Sequence, residues 1–179
     1  MGVAMRIGEK GERGAPGFED PIGLLASCHE RIEGHCATLE RLKAHVRVHG
    51  GDREAREAAA RVFQYFAQAG RWHHEDEERD LAPLLERHGD PALSAVVARL
   101  MAEHRDLERA YAPIERALQS LPASPGELPI EPYVSLIRAH IAAENTQLLP
   151  RARAVLGPSE VAALGRAMAA RRGVRFPTP

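Results

Sequence analysis

Apolar residues recur at helical spacing along most of the chain. The first stripe is Ile22, Leu25, Ile32, Leu39, Leu42 and Val46, and His29 and Cys36 fall on the same face. Asp20-Pro21 opens this helix with an N-cap acid and a first-turn proline, and Gly50-Gly51 closes it. Asp52 caps a second helix that runs to about His88, with Gly70 and Pro83 as places for it to bend. Gly89-Asp90-Pro91 turns the chain into a third helix over about 91–120, where Pro113 predicts a kink. Residues 121–129 carry three prolines and a glycine and read as the one long linker. A fourth helix covers about 130–155, again with a late proline, Pro150. Ser159 then caps a short terminal helix over 159–172. Residues 1–19 read as a disordered lead-in and 173–179 as a flexible tail, which leaves 20–172 as one domain.

The helices repeat. His73-His74-Glu75-Asp76-Glu77 is followed by Leu81 and Pro83. His140-Ile141-Ala142-Ala143-Glu144 is followed by Leu148 and Pro150, so His, Glu, Leu and Pro all recur at an offset of 67. A second repeat relates His29-Glu30-Arg31-Ile32-Glu33 to His104-Arg105-Asp106-Leu107-Glu108 at an offset of 75. Helix one thus resembles helix three, and helix two resembles helix four. Two such hairpins predict an all-α fold: an up-down-up-down antiparallel four-helix bundle with a short extra C-terminal helix. Aromatics are only 4% of the chain and β-branched runs are absent, which argues against a sheet.

Charge and composition narrow the function. A net charge of −1 gives no electrostatic case for nucleic acid or an anionic membrane. No apolar stretch approaches the roughly 20 residues that span a bilayer. The polar, Gly-rich start lacks the apolar core of a secretory signal, and Arg6 stands where a myristoylation motif wants Ser or Thr. Cys28 and Cys36 lie eight residues apart on one predicted helix, about 12 Å along its axis and too far for a disulfide. Reduced thiols without a signal point to the cytoplasm.

The chemistry lies on the helix faces. Four residues turn a helix by about 400°, so His73 with Glu77 and His140 with Glu144 each share a face one turn apart. His29 and His104 add one imidazole from each remaining helix. Buried imidazoles and carboxylates without partners cost several kcal/mol each, and a cation removes that cost. Nitrogen and oxygen donors without thiolate suit iron or manganese better than structural zinc, and two bridging-capable glutamates permit two ions. His74-Glu78 has the same spacing and is an alternative pair; the repeat selects His73, because His74 aligns with Ile141. Glu33 and Glu108 also stand one turn from a His, and the favoured reading is a solvated helix edge with ion pairs. His45 and His49 form an i, i+4 pair in the last turn of helix one, where the dipole favours a cationic His over a surface metal site. His35 is peripheral, and His88 marks a helix C-terminus. The acidic run from Glu75 to Glu78 is partly ligand and partly solvated face.

The runs at 73–83 and 140–150 resemble the signatures of hemerythrin-like, or HHE, cation-binding domains, and the resemblance covers about residues 20–155. It implies a four-helix bundle around a non-haem, carboxylate-bridged di-iron centre. The implied ligands are His29, His73, Glu77, His104, His140 and Glu144. Oxygen-carrying members have a fifth His on the third helix, whereas the positions one turn from His104 are here Leu100 and Glu108. The resemblance therefore favours a protein that binds or senses oxygen, nitric oxide, redox state or iron over a reversible carrier. A di-iron enzyme acting on oxygen, peroxide or nitric oxide, an iron-storage module and a metal-free interaction bundle remain alternatives. The absence of an attached signalling domain weighs against a dedicated sensor. Seven residues make two turns, so Cys36, Phe66, Tyr111 and Tyr133 are expected to form one layer on the same side of the site. Packing is the favoured role of that layer; the sharper alternative has Tyr111 or Tyr133 donating to an iron-bound ligand.

Overall fold

The computed structural model describes residues 16–121, 124 and 126–175. Its helices are α1 (Pro21–His49), α2 (53–86), α3 (Pro91–Gln119), α4 (131–155) and α5 (Pro158–Arg171), with no strand among the described residues. Asp20 and Asp52, the cap acids foreseen in the sequence, close the starts of their helices, and Asp90 of the predicted turn does the same for α3. Asp20 accepts from the Gly23 N–H at 2.9 Å, Asp52 from Ala55 at 2.9 Å, and Asp90 from Ala92 at 2.9 Å. Gly50 and Gly89 leave α1 and α2 through positive φ of 69° and 67°, where a side chain would be strained. Such short turns force antiparallel neighbours. α1 packs on α2, α2 on α3, α3 on α4, and α4 closes the ring against α1, while α5 lies across α1 and α2.

The core is split into two apolar clusters with a polar layer between them. One holds Ile32, Cys36 and Leu39 from α1, Val62 from α2, Leu107 and Ile114 from α3, and Tyr133 and Ile137 from α4. The other holds Ile22 and Leu25, Leu81 and Leu85, Leu93 and Leu100, and Leu148 and Ala152, capped by Leu164 and Met168 of α5. On every helix of the bundle the polar residues fall between these two sets, so the four helices deliver them at one depth.

Two helices depart from α geometry. α2 widens into π-turns at Phe66–Gly70 and Glu77–Leu81, and α4 does so at Glu144–Leu148. After Glu77 the Ala82 N–H bonds to the Glu77 carbonyl, and after Glu144 the Leu149 N–H bonds to the Glu144 carbonyl, five residues back in each case. Where the sequence suggests bends at Gly70 and Pro83, the helix takes an extra residue into one turn instead. The prolines explain the second and third of these. In α geometry a proline ring presses on the carbonyl four residues back, and a wider turn relieves that contact. α3, by contrast, continues through Pro113 as one helix.

Two boundaries differ from the sequence reading. α5 begins at Pro158 and not at Ser159: Gly157 is its cap, and the Glu160 carboxylate accepts the Gly157 N–H at 3.0 Å. Proline's fixed φ suits the first helical position, which starts the helix one residue early. The expected lead-in of 1–19 is structured at its end, where the Asp20 N–H bonds to the Gly17 carbonyl at 3.0 Å and Phe18 packs against the second cluster. Residues 1–15 of that lead-in lie outside the described residues, as do 176–179 of the tail. The Phe18 backbone comes so close to α5 that a Cβ on Gly165 would meet its carbonyl oxygen at 2.0 Å.

α5 is fastened by charge as well. Asp76 of α2 is fully buried and accepts from both Arg171 and Arg172, the latter at 2.7 Å, while Arg171 also donates to Asp80 at 2.7 Å. Burial pushes the Asp76 carboxyl up against the opposing pull of the two guanidiniums. Asp76→Ala would leave two largely buried cations without their shared acceptor. The expected loss is about 3 kcal/mol of unfolding free energy, read from urea denaturation, with Asp80→Ala at the more open partner costing clearly less.

Candidate metal centre

His29 comes from α1, His73 and Glu77 from α2, His104 from α3, and His140 and Glu144 from α4. All six are essentially fully buried. The α-turn from each His to its Glu brings the pair onto one face, and the π-turn begins at the Glu itself. Their donor atoms fall into two groups, each with all atoms within 4.8 Å of one another: His29, His73, Glu77 and Glu144 in one, and Glu77, His104, His140 and Glu144 in the other. Both carboxylates belong to both groups.

The arrangement of oxygens gives this overlap its meaning. Glu144 turns one oxygen to His29 Nε2 at 3.1 Å and the other to His140 Nε2 at 3.0 Å. Glu77 likewise turns one to His73 Nε2 at 3.5 Å and the other to His104 Nε2 at 3.4 Å. Each carboxylate therefore spans the two imidazole pairs. Yet both oxygens of Glu77 and of Glu144, with His104 Nε2 and His140 Nε2, are buried without a hydrogen-bond partner. The atoms stand at ion-pair distances but are not aligned with one another. Unsatisfied lone pairs converging from several sides fit a cation, and the donor set of imidazole and carboxylate suits a first-row metal such as iron or manganese.

The electrostatics agree. Burial and the neighbouring Glu144 carboxylate push Glu77 up to about 7. Burial opposes ionisation of Glu144 too, but the attraction of the neighbouring His104, His140 and His29 imidazoles outweighs it and holds that carboxyl well below its usual range. Burial would lower His104, yet Glu144, Glu77 and Glu78 together raise it to about 10. Burial, with His29 beside it, drives His73 well below the ordinary imidazole range. Protons and imidazolium charge thus offset two carboxylates in the protein alone, and a bound cation takes over that role as the ligands deprotonate.

Around the six lies a set of residues that orient the rings. His104 Nδ1 bonds to Glu78 at 2.7 Å, His140 Nδ1 to Glu103 at 2.9 Å, and His29 Nδ1 to the Asn145 side chain at 2.8 Å. Each leaves Nε2 to face inward. His73 Nδ1 is buried and has no partner. Glu103 and Asn145 were not singled out from the sequence. Each adjoins a site residue in the chain but bonds across the bundle to another helix, so no local spacing reveals it. Glu103 is itself positioned by Arg99 at 2.7 Å.

The remaining candidates take distinct places. His74 is outside both groups; it stacks on His104 at 4.0 Å with only 9° between the rings, and burial together with His104 lowers it to about 3. The acidic run divides four ways: Glu75 pairs with Arg71 and Arg171, Asp76 holds α5, Glu77 enters the centre and Glu78 orients His104. Glu33 pairs with Arg138 at 2.6 Å and Glu108 is exposed. His35 stacks on Tyr65 at 4.0 Å, away from the centre. His45 bonds Asp52 at 2.9 Å and lies 4.7 Å, ring to ring, from His49, while His88 faces Glu160 at 3.3 Å. Phe66 reaches Tyr111 at 5.0 Å and Tyr133 at 5.6 Å, and with Cys36 these form the expected layer in spite of the π-turn that follows Phe66. The Tyr111 hydroxyl is buried with no hydrogen-bond partner.

Comparison with known proteins accords with this geometry. A Haemophilus influenzae protein, itself described as uncharacterized, is 26% identical over 162 residues, covering 88% of this chain and 93% of its own. Residues 20–152 match the family model of the hemerythrin HHE cation-binding domain, a span that takes in every residue of both convergent groups. The chain belongs to the hemerythrin HHE cation-binding domain family.

Proposed function

We propose that this protein is a non-haem di-iron protein that binds or senses oxygen or a related diatomic such as nitric oxide. The observation that carries the reading is the sharing of both Glu77 and Glu144 between two convergent groups of donors. His29 and His73 would hold one ion, His104 and His140 the other, and the two carboxylates would bridge them. Iron would supply a reversible one-electron change and an open position for a small ligand. The chain's own residues set the terms. Glu78 and Glu103 hold His104 and His140 with carboxylates, whereas Asn145 holds His29 with a neutral amide. Carboxylate backing makes an imidazole a stronger donor, so the His104–His140 position is the more electron-rich of the two. The cytoplasm is the proposed compartment: Cys28 and Cys36 are both free thiols, and no described helix is long and apolar enough to cross a membrane.

Purified from iron-replete cells, the protein is expected to carry two irons per chain with magnetic coupling between them. Fewer than one iron, or no coupling, overturns the dinuclear reading. His73→Ala and Glu77→Ala should abolish occupancy, whereas His74→Ala should retain most of it; the reverse order would put the adjacent pair in the site.

Glu103→Gln should lower iron affinity about 10- to 100-fold in a chelator competition without unfolding the bundle, and it should affect one ion of the pair. Tyr111→Phe should leave iron content near that of the parent while changing the rate of autoxidation. An unchanged rate would reduce the aromatic layer to packing.

A further inference from the structure

The convergent groups leave a sizeable feature beside them unused. A cavity of about 550 Å3 opens on the aromatic side of the centre. That volume lies inside the roughly 300–1,000 Å3 typical of sites for small organic molecules and is far more than a diatomic needs. Helical arithmetic fixes where it lies. Ile32, Gly70, Leu107 and Ile137 line it, and each stands three residues from His29, His73, His104 and His140 in turn. One end is therefore about one turn, roughly 4.5 Å, from the polar layer. Glu115, eight residues beyond Leu107 on α3, lines the other end, so the slot runs about 12 Å.

Charge and ring chemistry decide what fits. Four acids and two arginines line the cavity, but most are engaged elsewhere. Arg71 and Arg79 both pair with Glu75, at 3.2 and 3.8 Å, and Glu78 is committed to His104. Glu108 and Glu115 have no ion-pair partner among the described residues, and Glu115 is half-buried. They flank Tyr111 on one stripe of α3, so two free carboxylates sit beside the rings of Tyr111, Phe66 and Tyr133. Carboxylates and aromatic faces both attract a cation.

We propose that this cavity binds a small organic amine. Its ammonium group lies against Glu115, its apolar body lies along the aromatic layer past Tyr111, and its far end points to the polar layer. Only that last feature rests on the di-iron reading. A ligand of ten to fifteen non-hydrogen atoms in an extended form matches a slot of about 12 Å.

Three isosteric probes test it on the iron-loaded protein by calorimetric titration: 4-phenylbutylamine, 4-phenylbutanol and 4-phenylbutyrate. The amine should bind saturably and at least tenfold more tightly than the carboxylate, the order expected of an ammonium beside the unpaired, half-buried Glu115. Glu115→Gln should cut amine affinity several-fold and leave the alcohol unchanged, while Glu30→Gln, at an exposed acid of α1 outside the cavity, should change neither. Ala67→Trp, at an exposed position of the lining, should block all three probes while iron content stays at the parent level. No saturable binding of the amine, equal or tighter binding of the carboxylate, or binding indifferent to Ala67→Trp overturns the proposal. Iron content is measured on the same samples. Normal loading with failed amine binding sinks the cavity alone, whereas intact binding with no coupled iron pair sinks the di-iron reading alone.

Discussion

Placing four imidazoles and two carboxylates at the centre of a helical bundle is the constraint on which the rest of this structure depends. Those groups are unfavourable in an apolar interior unless something neutralises them together. The apolar core is consequently divided, with one cluster built around Ile32, Leu107 and Ile137 and another around Leu25, Leu100 and Leu148. Each helix must change from apolar to polar and back at the same depth. The two clusters fix the helices tightly enough that donor atoms from all four elements meet within a few ångströms. The cost of the polar layer and the stabilisation from the flanking clusters are two sides of one arrangement.

The orienting residues extend this logic outward. Glu78, Glu103 and Asn145 each take the outer nitrogen of an imidazole, and Arg99 in turn holds Glu103. Charge is thereby passed from the buried layer to the surface in steps, each step satisfying the group inside it. His73 alone lacks such a partner. On α2 the outward side of the same turn is given to Asp76, which faces α5 and not an imidazole. A helix that supplies both an imidazole and a carboxylate to the centre is thus also the one that anchors the fifth helix.

Much of this was legible in the chain. The offset of 67 between the two His-Glu-Leu-Pro runs named the inward pairs, and the cap acids Asp20 and Asp52, with the turn at Gly89-Asp90-Pro91, marked where helices begin. Choosing His73 over His74 by alignment agrees with the observed groups because a repeat preserves helix phase even where single spacings are ambiguous. Three things could not be read. The π-turns depend on hydrogen-bond register, which side-chain periodicity does not encode. Asp76 lay hidden in an acidic run, because its partners Arg171 and Arg172 are more than ninety residues away. Glu103 and Asn145 likewise act across the bundle, and only the packed helices bring them to their imidazoles.

The π-turns at Glu77 and Glu144 have a kinetic meaning. An ordinary helix with one extra residue can anneal by passing the irregularity along its length. Here Pro83 and Pro150 stand two residues past the close of each turn, and their rings oppose a return to the tighter register. The wide turns are thus pinned by covalent chemistry and not by whatever the glutamates hold. The backbone of the site therefore needs no bound cation to hold its shape, and a cation could enter and leave by side-chain motion alone, without refolding of either helix.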